Sequence, residues 1–211
     1  DRVLKPWLEQ QFADQPQVTV LGVALSEWSA AGALLSPDRP LKIVGNIPYQ
    51  ITGPLLERAL SDTLPVPWQT ITFMVQEEVA DRMLAAAGEP ERGKLSVIVE
   101  LHALPGGRLP VGRDAFHPKP NVDSMVLQLR PRPVHLLEAA QIPRFQSLLS
   151  RGFHMRRKTV WNNLRAGFGG TDLERLKGYL EANGVPLMKR PQDLTLREWL
   201  KAFWVEEELR P

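Results

Sequence analysis

Apolar residues recur along this chain in two different periods, and the place where one gives way to the other divides it. Leu4, Trp7, Leu8 and Phe12 stand at helical spacing and predict an amphipathic helix over residues 1–13. Short apolar runs at Val18–Leu21, Leu41–Gly45, Thr70–Val75, Leu95–Leu101 and Ser124–Leu129 each predict a strand. Helical stretches opened by Pro54 and by Gln76 lie between them, so five strands interleaved with helices predict an α/β sheet. Past Pro131-Arg132-Pro133 the strand pattern stops. Three helical stretches follow, at 141–167, 171–182 and 193–203, separated by Gly169-Gly170 and by Gly184 to Pro191. The expected organisation is a sheet domain over 1–135 and a small helical domain over 136–211, with the boundary near 133–138. Glu206-Glu207-Glu208 is expected to be a solvated end.

Composition narrows the class. The 211 residues are 43% hydrophobic and 24% charged, the balance of an ordinary globular protein. No stretch approaches the roughly 18 to 20 apolar residues that span a bilayer, and no signal peptide is recognisable, so a cytoplasmic protein without a membrane partner is expected. Cysteine is absent and the four histidines are scattered, which excludes disulfides and thiolate metal sites and leaves no metal expected. Nothing in the pattern calls for more than a monomer. Net charge is only +2, yet residues 1–139 carry 13 Lys/Arg against 16 Asp/Glu, while 140–211 carry 13 against 8. That asymmetry fits a C-terminal part facing a polyanion, and equally a basic solvated surface.

The strongest chemistry is in Asn46-Ile47-Pro48-Tyr49, between the strand at Leu41–Gly45 and the helix that begins near Thr52. In an open α/β sheet such a junction opens on the crevice at the strand carboxyl ends, where ligands bind. Pro48 has no N–H and holds Ile47 extended, leaving the neighbouring carbonyls free of a helix ladder. The Asn46 side-chain oxygen together with one of those carbonyls can accept both hydrogens of an exocyclic amine. Tyr49 offers a face on which an extruded base can stack. By itself the tetrapeptide is equally an ordinary turn with a packed aromatic.

Three segments in order resemble one family. Asn46 to Tyr49, continued by Ile51-Thr52-Gly53-Pro54-Leu55, is similar to the Asn-Leu/Ile-Pro-Tyr motif of the rRNA adenine N6-dimethyltransferases. Phe116 to Ser124 resembles its Phe-x-Pro-x-Pro-x-Val-x-Ser segment, and Phe153 to Thr159 its Phe-x-x-Arg-Arg-Lys-Thr box. The likeness is closest to the bacterial small-subunit enzymes, which modify two adjacent adenosines near the 3′ end of 16S rRNA during ribosome assembly. The large-subunit methylases of macrolide resistance share the quartet but fit Ile51 to Leu55 and the Phe116 segment less well. The DNA adenine methylases usually place Pro directly after the Asx, where this chain has Ile47.

The resemblance implies a class I, Rossmann-like methyltransferase sheet with S-adenosyl-L-methionine as cofactor and small-subunit ribosomal RNA as partner. It implies that Asn46 and a carbonyl of the quartet beside Pro48 orient N6, that Tyr49 and Phe116 sandwich the target base, that Asn46 and Ala24 contact the cofactor, and that Arg156, Arg157 and Lys158 serve RNA or inter-domain contact. Read without the Asn46 quartet, Phe116 is a core residue at a strand entrance, and the basic box read alone is a solvated helix end. Gln76-Glu77-Glu78 resembles the family's Gln-Lys-Glu helix start and is structural on this reading, acids favouring a helix N-terminus.

Two departures concern the cofactor. No Gly-rich turn precedes Val18, and by resemblance Asp1-Arg2 falls just after the ribose-binding acid, so the first two strands and most of the cofactor site are expected to lie outside this sequence. Where the family has an Asp that holds the cofactor's adenine amine, the candidates here are Val23 and Ala24, with Glu27 a few residues on. A non-catalytic RNA-binding or ribosome-assembly factor on the same fold is therefore the competing expectation.

Overall fold

Every second residue of the segment Trp68–Gln76 points into the protein, and the sheet is assembled around that segment. A computed structural model describes residues 3–22, 40–48, 53, 55–56, 60, 68–167 and 173–209. Among them are α1 (Leu4–Gln11), β1 (Leu41–Asn46), β2 (Trp68–Gln76), α2 (Glu77–Leu84), α3 (Lys94–His102), β3 (Ala103–Val111) and β4 (Ser124–Pro131). Helices α4 (Ile142–Gly152), α5 (Val160–Leu164), α6 (Leu173–Ala182) and α7 (Leu196–Glu208) follow. The sheet order is β1-β2-β4-β3, with β1 parallel to β2 and β4 antiparallel to both its neighbours. Ile71, Phe73 and Val75 of β2 and Met125, Leu127 and Leu129 of β4 are buried, the period-two burial expected of paired strands.

Three of the expected strands are present, at β1, β2 and β4. Val18–Leu21 is not one: it has no ladder partner among the described residues. Leu95–Leu101 is not one either, but lies within α3. Its β-branched run suits a strand, but a short apolar run does not reveal its own period. Val97, Ile98, Val99, Leu101 and His102 are all buried, so the segment is apolar nearly all round and is enclosed by other elements. Its start is pinned by the Gly93 N–H donating to Ser96 Oγ at 2.9 Å. The strand that the sheet does use, β3, follows without a loop. It is a mostly exposed edge strand carrying Pro105 and Pro110 and a register shift between Pro105 and Gly107, features that weaken a strand's pattern in sequence while blunting an exposed edge.

The expected helix over 141–167 is broken. Helix α4 buries Ile142, Phe145, Leu148, Leu149 and Gly152, and stops at Phe153. At Gly152 a Cβ would come within 2.3 Å of Trp199 Cη2 in α7, so only glycine allows this approach. Asn163, buried in α5, accepts from the Met155 N–H at 3.0 Å and donates to the Met155 carbonyl at 3.1 Å, holding the turn that separates the helices. Thr159 caps α5 by accepting from the Asn162 N–H. Helix α7 opens with a Thr195/Glu198 capping box and runs to Glu208, beyond the 203 expected. Its end is not simply solvated. Glu206 receives Arg151 on both carboxylate oxygens at 2.6 Å, and Glu207 pairs with Arg144 at 3.0 Å, with only 12% and 16% of those two side chains exposed. Phe145 meets Phe203 edge-on at 5.6 Å and Phe153 stacks on Trp199 at 5.3 Å. One contiguous core, from Ile43 to Val205, joins sheet and helices.

Candidate functional site: the carboxyl end of the sheet

The register places the ends of three strands and one loop together. Asn46, the last residue of β1, lies opposite Met74, and Gln76, the last of β2, lies opposite Ser124, the first of β4. Ser124 also lies opposite Val111, the last of β3. The loop 112–123 that joins β3 to β4 therefore sits at the same end of the sheet as Asn46.

At β1 the chain turns sharply out of the strand. The Ile47 N–H still donates to the Met74 carbonyl at 3.2 Å, and its side chain is buried, which anchors the residue between Asn46 and Pro48. Gly45 makes room for it: a Cβ there would fall 2.7 Å from Ile47 Cδ1 and 3.3 Å from the Phe73 ring. Asn46 and Pro48 are exposed. The Asn46 amide makes no hydrogen bond among the described residues, so it leaves a rigid strand with its donors and acceptor unspent. Tyr49 lies outside the described residues, as do Val23, Ala24, Glu27, Ile51, Thr52 and Pro54.

Phe116 is held half-buried by a braced loop. It ends the short 3-10 turn Arg113–Ala115, where the Asp123 carboxylate accepts from the Arg113 N–H at 2.9 Å. The Asp123 carbonyl accepts from the Glu77 N–H at 3.1 Å, tying the same loop to the start of α2. Glu77 and Glu78 occupy the first turn of α2, and Glu78 pairs with Arg82 on the same helix, in keeping with the structural role expected. His117-Pro118 is a cis peptide, and Lys119 pairs with Asp114.

The basic box lies in the helical part. Arg157 and Lys158 are exposed, and their side chains have no partner among the described residues. Arg156 is exposed too, but it donates to the Pro90 carbonyl and, at 3.1 Å, to the Arg92 carbonyl. Sequence reasoning passed over Lys189 and Arg190. The Val160 N–H donates to the Lys189 carbonyl at 2.9 Å and the Trp161 N–H to that of Leu187 at 3.1 Å, so this second exposed basic pair lies against the start of α5, beside Lys158. A charged dipeptide in a Gly- and Pro-flanked loop was the only hint of it.

A parallel pair of strands continued by an antiparallel pair agrees with the class I methyltransferase sheet expected from the sequence. The fold matches a crystal structure of the 23S rRNA methyltransferase ErmE with a TM-score of 0.61, at 23% identity, over 98% of this chain and 79% of that one. It matches a dimethyladenosine transferase from Plasmodium falciparum with a TM-score of 0.71, also at 23% identity, over 99% and 79%. The model of the family described as ribosomal RNA adenine dimethylase covers residues 1–201. Ribosomal RNA small subunit methyltransferase A of Levilactobacillus brevis is 34% identical over 206 residues, 95% of this chain and 69% of that protein. The protein of the same name from Trichormus variabilis is 37% identical over 207 residues, 95% and 75%. The chain belongs to the ribosomal RNA adenine dimethylase family.

No group of three or more His, Cys, Asp or Glu positioned for a metal occurs among the described residues, and none of their helices is long and apolar enough to cross a membrane.

Proposed function

We propose that this chain is the methyl-transferring part of an S-adenosylmethionine-dependent enzyme that dimethylates N6 of two adjacent adenosines near the 3′ end of small-subunit ribosomal RNA in the cytoplasm. The observation that carries the reading is the Asn46-Ile47-Pro48 turn, an exposed amide with no partner among the described residues on a strand end fixed by Ile47. The reading is supported by the two proteins named ribosomal RNA small subunit methyltransferase A, each matched over 95% of this chain.

The chemistry required of the protein is mostly positioning. An adenine amine is a poor nucleophile because its lone pair is delocalised into the ring. The Asn46 side-chain oxygen and a neighbouring backbone carbonyl accept its two hydrogens, hold them out of the ring plane and localise the lone pair. Phe116, and Tyr49 from the other side, stack on the extruded base. Exposed Arg157 and Lys158, with Lys189 and Arg190 beside them, hold phosphates without reading sequence. On this reading residues 1–135 carry the reaction and 136–211 the RNA contact. S-adenosylmethionine, when bound, supplies a sulfonium methyl group open to in-line displacement. Of the two residues that the resemblance assigns to the cofactor, Asn46 is described, and its exposed side-chain amide, with no partner among the described residues, would be available to it.

Asn46→Ala tests the assignment. Methyl transfer to rRNA is expected to fall by on the order of 10²–10³-fold, the loss seen when one preorganised polar group is deleted from a reacting centre. RNA binding and thermal stability should stay as in the parent, because the amide is exposed. Equal loss of binding and transfer would sink the division of roles.

A further inference from the structure

Arg156 belongs to the basic box, but its hydrogen bonds run inward. Its guanidinium donates to the carbonyls of Pro90 and Arg92, in the loop between α2 and α3 of the sheet part. The side chain of Arg92 continues the connection. It is 1% exposed and spends all three of its nitrogens, Nε on the Leu194 carbonyl at 3.2 Å, one terminal nitrogen on the Ala85 carbonyl at 2.8 Å and the other on Glu100 Oε2 at 2.7 Å. Leu194 is the residue before the Thr195 cap of α7, and Gly88 of the same loop donates to the Gln192 carbonyl at 2.9 Å. Two arginines in series thus bind one loop of the sheet part to two separate segments of the helical part, 154–158 and 192–194. Carbonyls are the right acceptors for such a joint: a guanidinium is always charged and presents its donors in a fixed plane, so it orients what it bridges.

We infer that Arg156 and Arg92 form a clamp that sets the position of the basic surface relative to the strand-end site, and that both are positioning residues for methyl transfer. This rests on the proposed function, because the clamp matters to activity only if RNA held by the helical part must reach Asn46. Arg157 and Lys158, with no partner among the described residues, are left to the phosphates.

The clamp and a phosphate contact differ in how they respond to salt. Each phosphate neutralised contributes about 0.7–0.9 to the slope of log K against log salt. In the full-length protein, Arg157→Ala should lower the slope of rRNA binding by about that amount. Arg156→Ala should leave the slope unchanged and instead lower kcat at saturating RNA, by roughly 10- to 100-fold for a misplaced substrate. Arg92→Met, at a position too buried to touch RNA, should reproduce the Arg156→Ala phenotype, and the double variant should lose less kcat than the two single losses multiplied. The inference is overturned if Arg156→Ala lowers the slope as Arg157→Ala does, or if it leaves kcat at the parent value. Should Arg92→Met fail to fold, Arg156→Ala, an exposed substitution, decides alone. A parent protein without methyl transfer to rRNA would instead sink the proposed function, and the clamp's role with it.

Discussion

The two ends of the molecule treat their polar side chains in opposite ways. At the seam between sheet and helices, Arg92 is buried with every nitrogen bonded, and between α4 and α7 Glu206 accepts from Arg151 on both oxygens. At the carboxyl end of the sheet, Asn46 is exposed with its amide unspent among the described residues, although the backbone on either side of it is fixed by the β1 ladder and by buried Ile47. The contrast separates polarity that builds the fold from polarity left open to a ligand. A buried polar group without partners costs about 1–3 kcal/mol, so structural polar groups are satisfied. A group meant to bind a substrate has to keep its hydrogen bonds in reserve, which is affordable only where water serves in the meantime. The same contrast divides the basic box, where Arg156 is engaged and Arg157 and Lys158 are not.

Substitutions should break the two ends differently. The largest effect is expected in the helical core. Trp199→Ala removes a fully buried ring that stacks on Phe153 and fills the space over Gly152, and should cost about 3–5 kcal/mol in denaturant unfolding. Loss of methyl transfer by this variant should follow the unfolded fraction; a loss at full folding would place Trp199 in the reaction and blur the division. Phe116→Ala at the sheet end should do the reverse. Phe116 is half-buried and without an aromatic neighbour among the described residues; on the proposed reading its loss should remove about 1–3 kcal/mol of base stacking, read as a fall in kcat/KM for rRNA with the melting temperature nearly unchanged. A large drop in melting temperature with kcat/KM intact would return Phe116 to the core. The smallest effect is expected at Glu78→Ala. Its pair with Arg82 is an exposed contact one helical turn apart and should contribute about 0.3–0.5 kcal/mol, detectable only in a double-mutant cycle and absent from activity.

Much of this was legible in the chain itself. β2 and β4 follow from their short apolar runs, and the structure buries alternate residues of each. The Asn46 turn follows from an Asx and a proline at the end of an apolar run, and the Phe116 loop from its prolines. These features are local: each depends on residues a few positions apart. Features that depend on packing leave a weaker trace. The run Leu95–Leu101 has the composition of a strand and is a helix, enclosed both by its neighbours in the chain and by helices of the C-terminal part. β3 went unseen because an edge strand has little buried surface to leave a pattern, and its prolines argue against it. The break after Gly152 is invisible without Trp199, which is 47 positions away.

What the sequence determined alone, then, was the α/β class, the helical pattern of the C-terminal part and the family. Only the tertiary structure decided which polar groups are spent. That Arg156 bonds to the loop at 90–92, that Lys189 and Arg190 lie beside Lys158, and that Glu206 and Glu207 are paired with Arg151 and Arg144 depend on partners far along the chain. A hydrogen bond is a matter of a few tenths of an ångström, and spacing in sequence carries no information at that scale once the chain has folded back on itself.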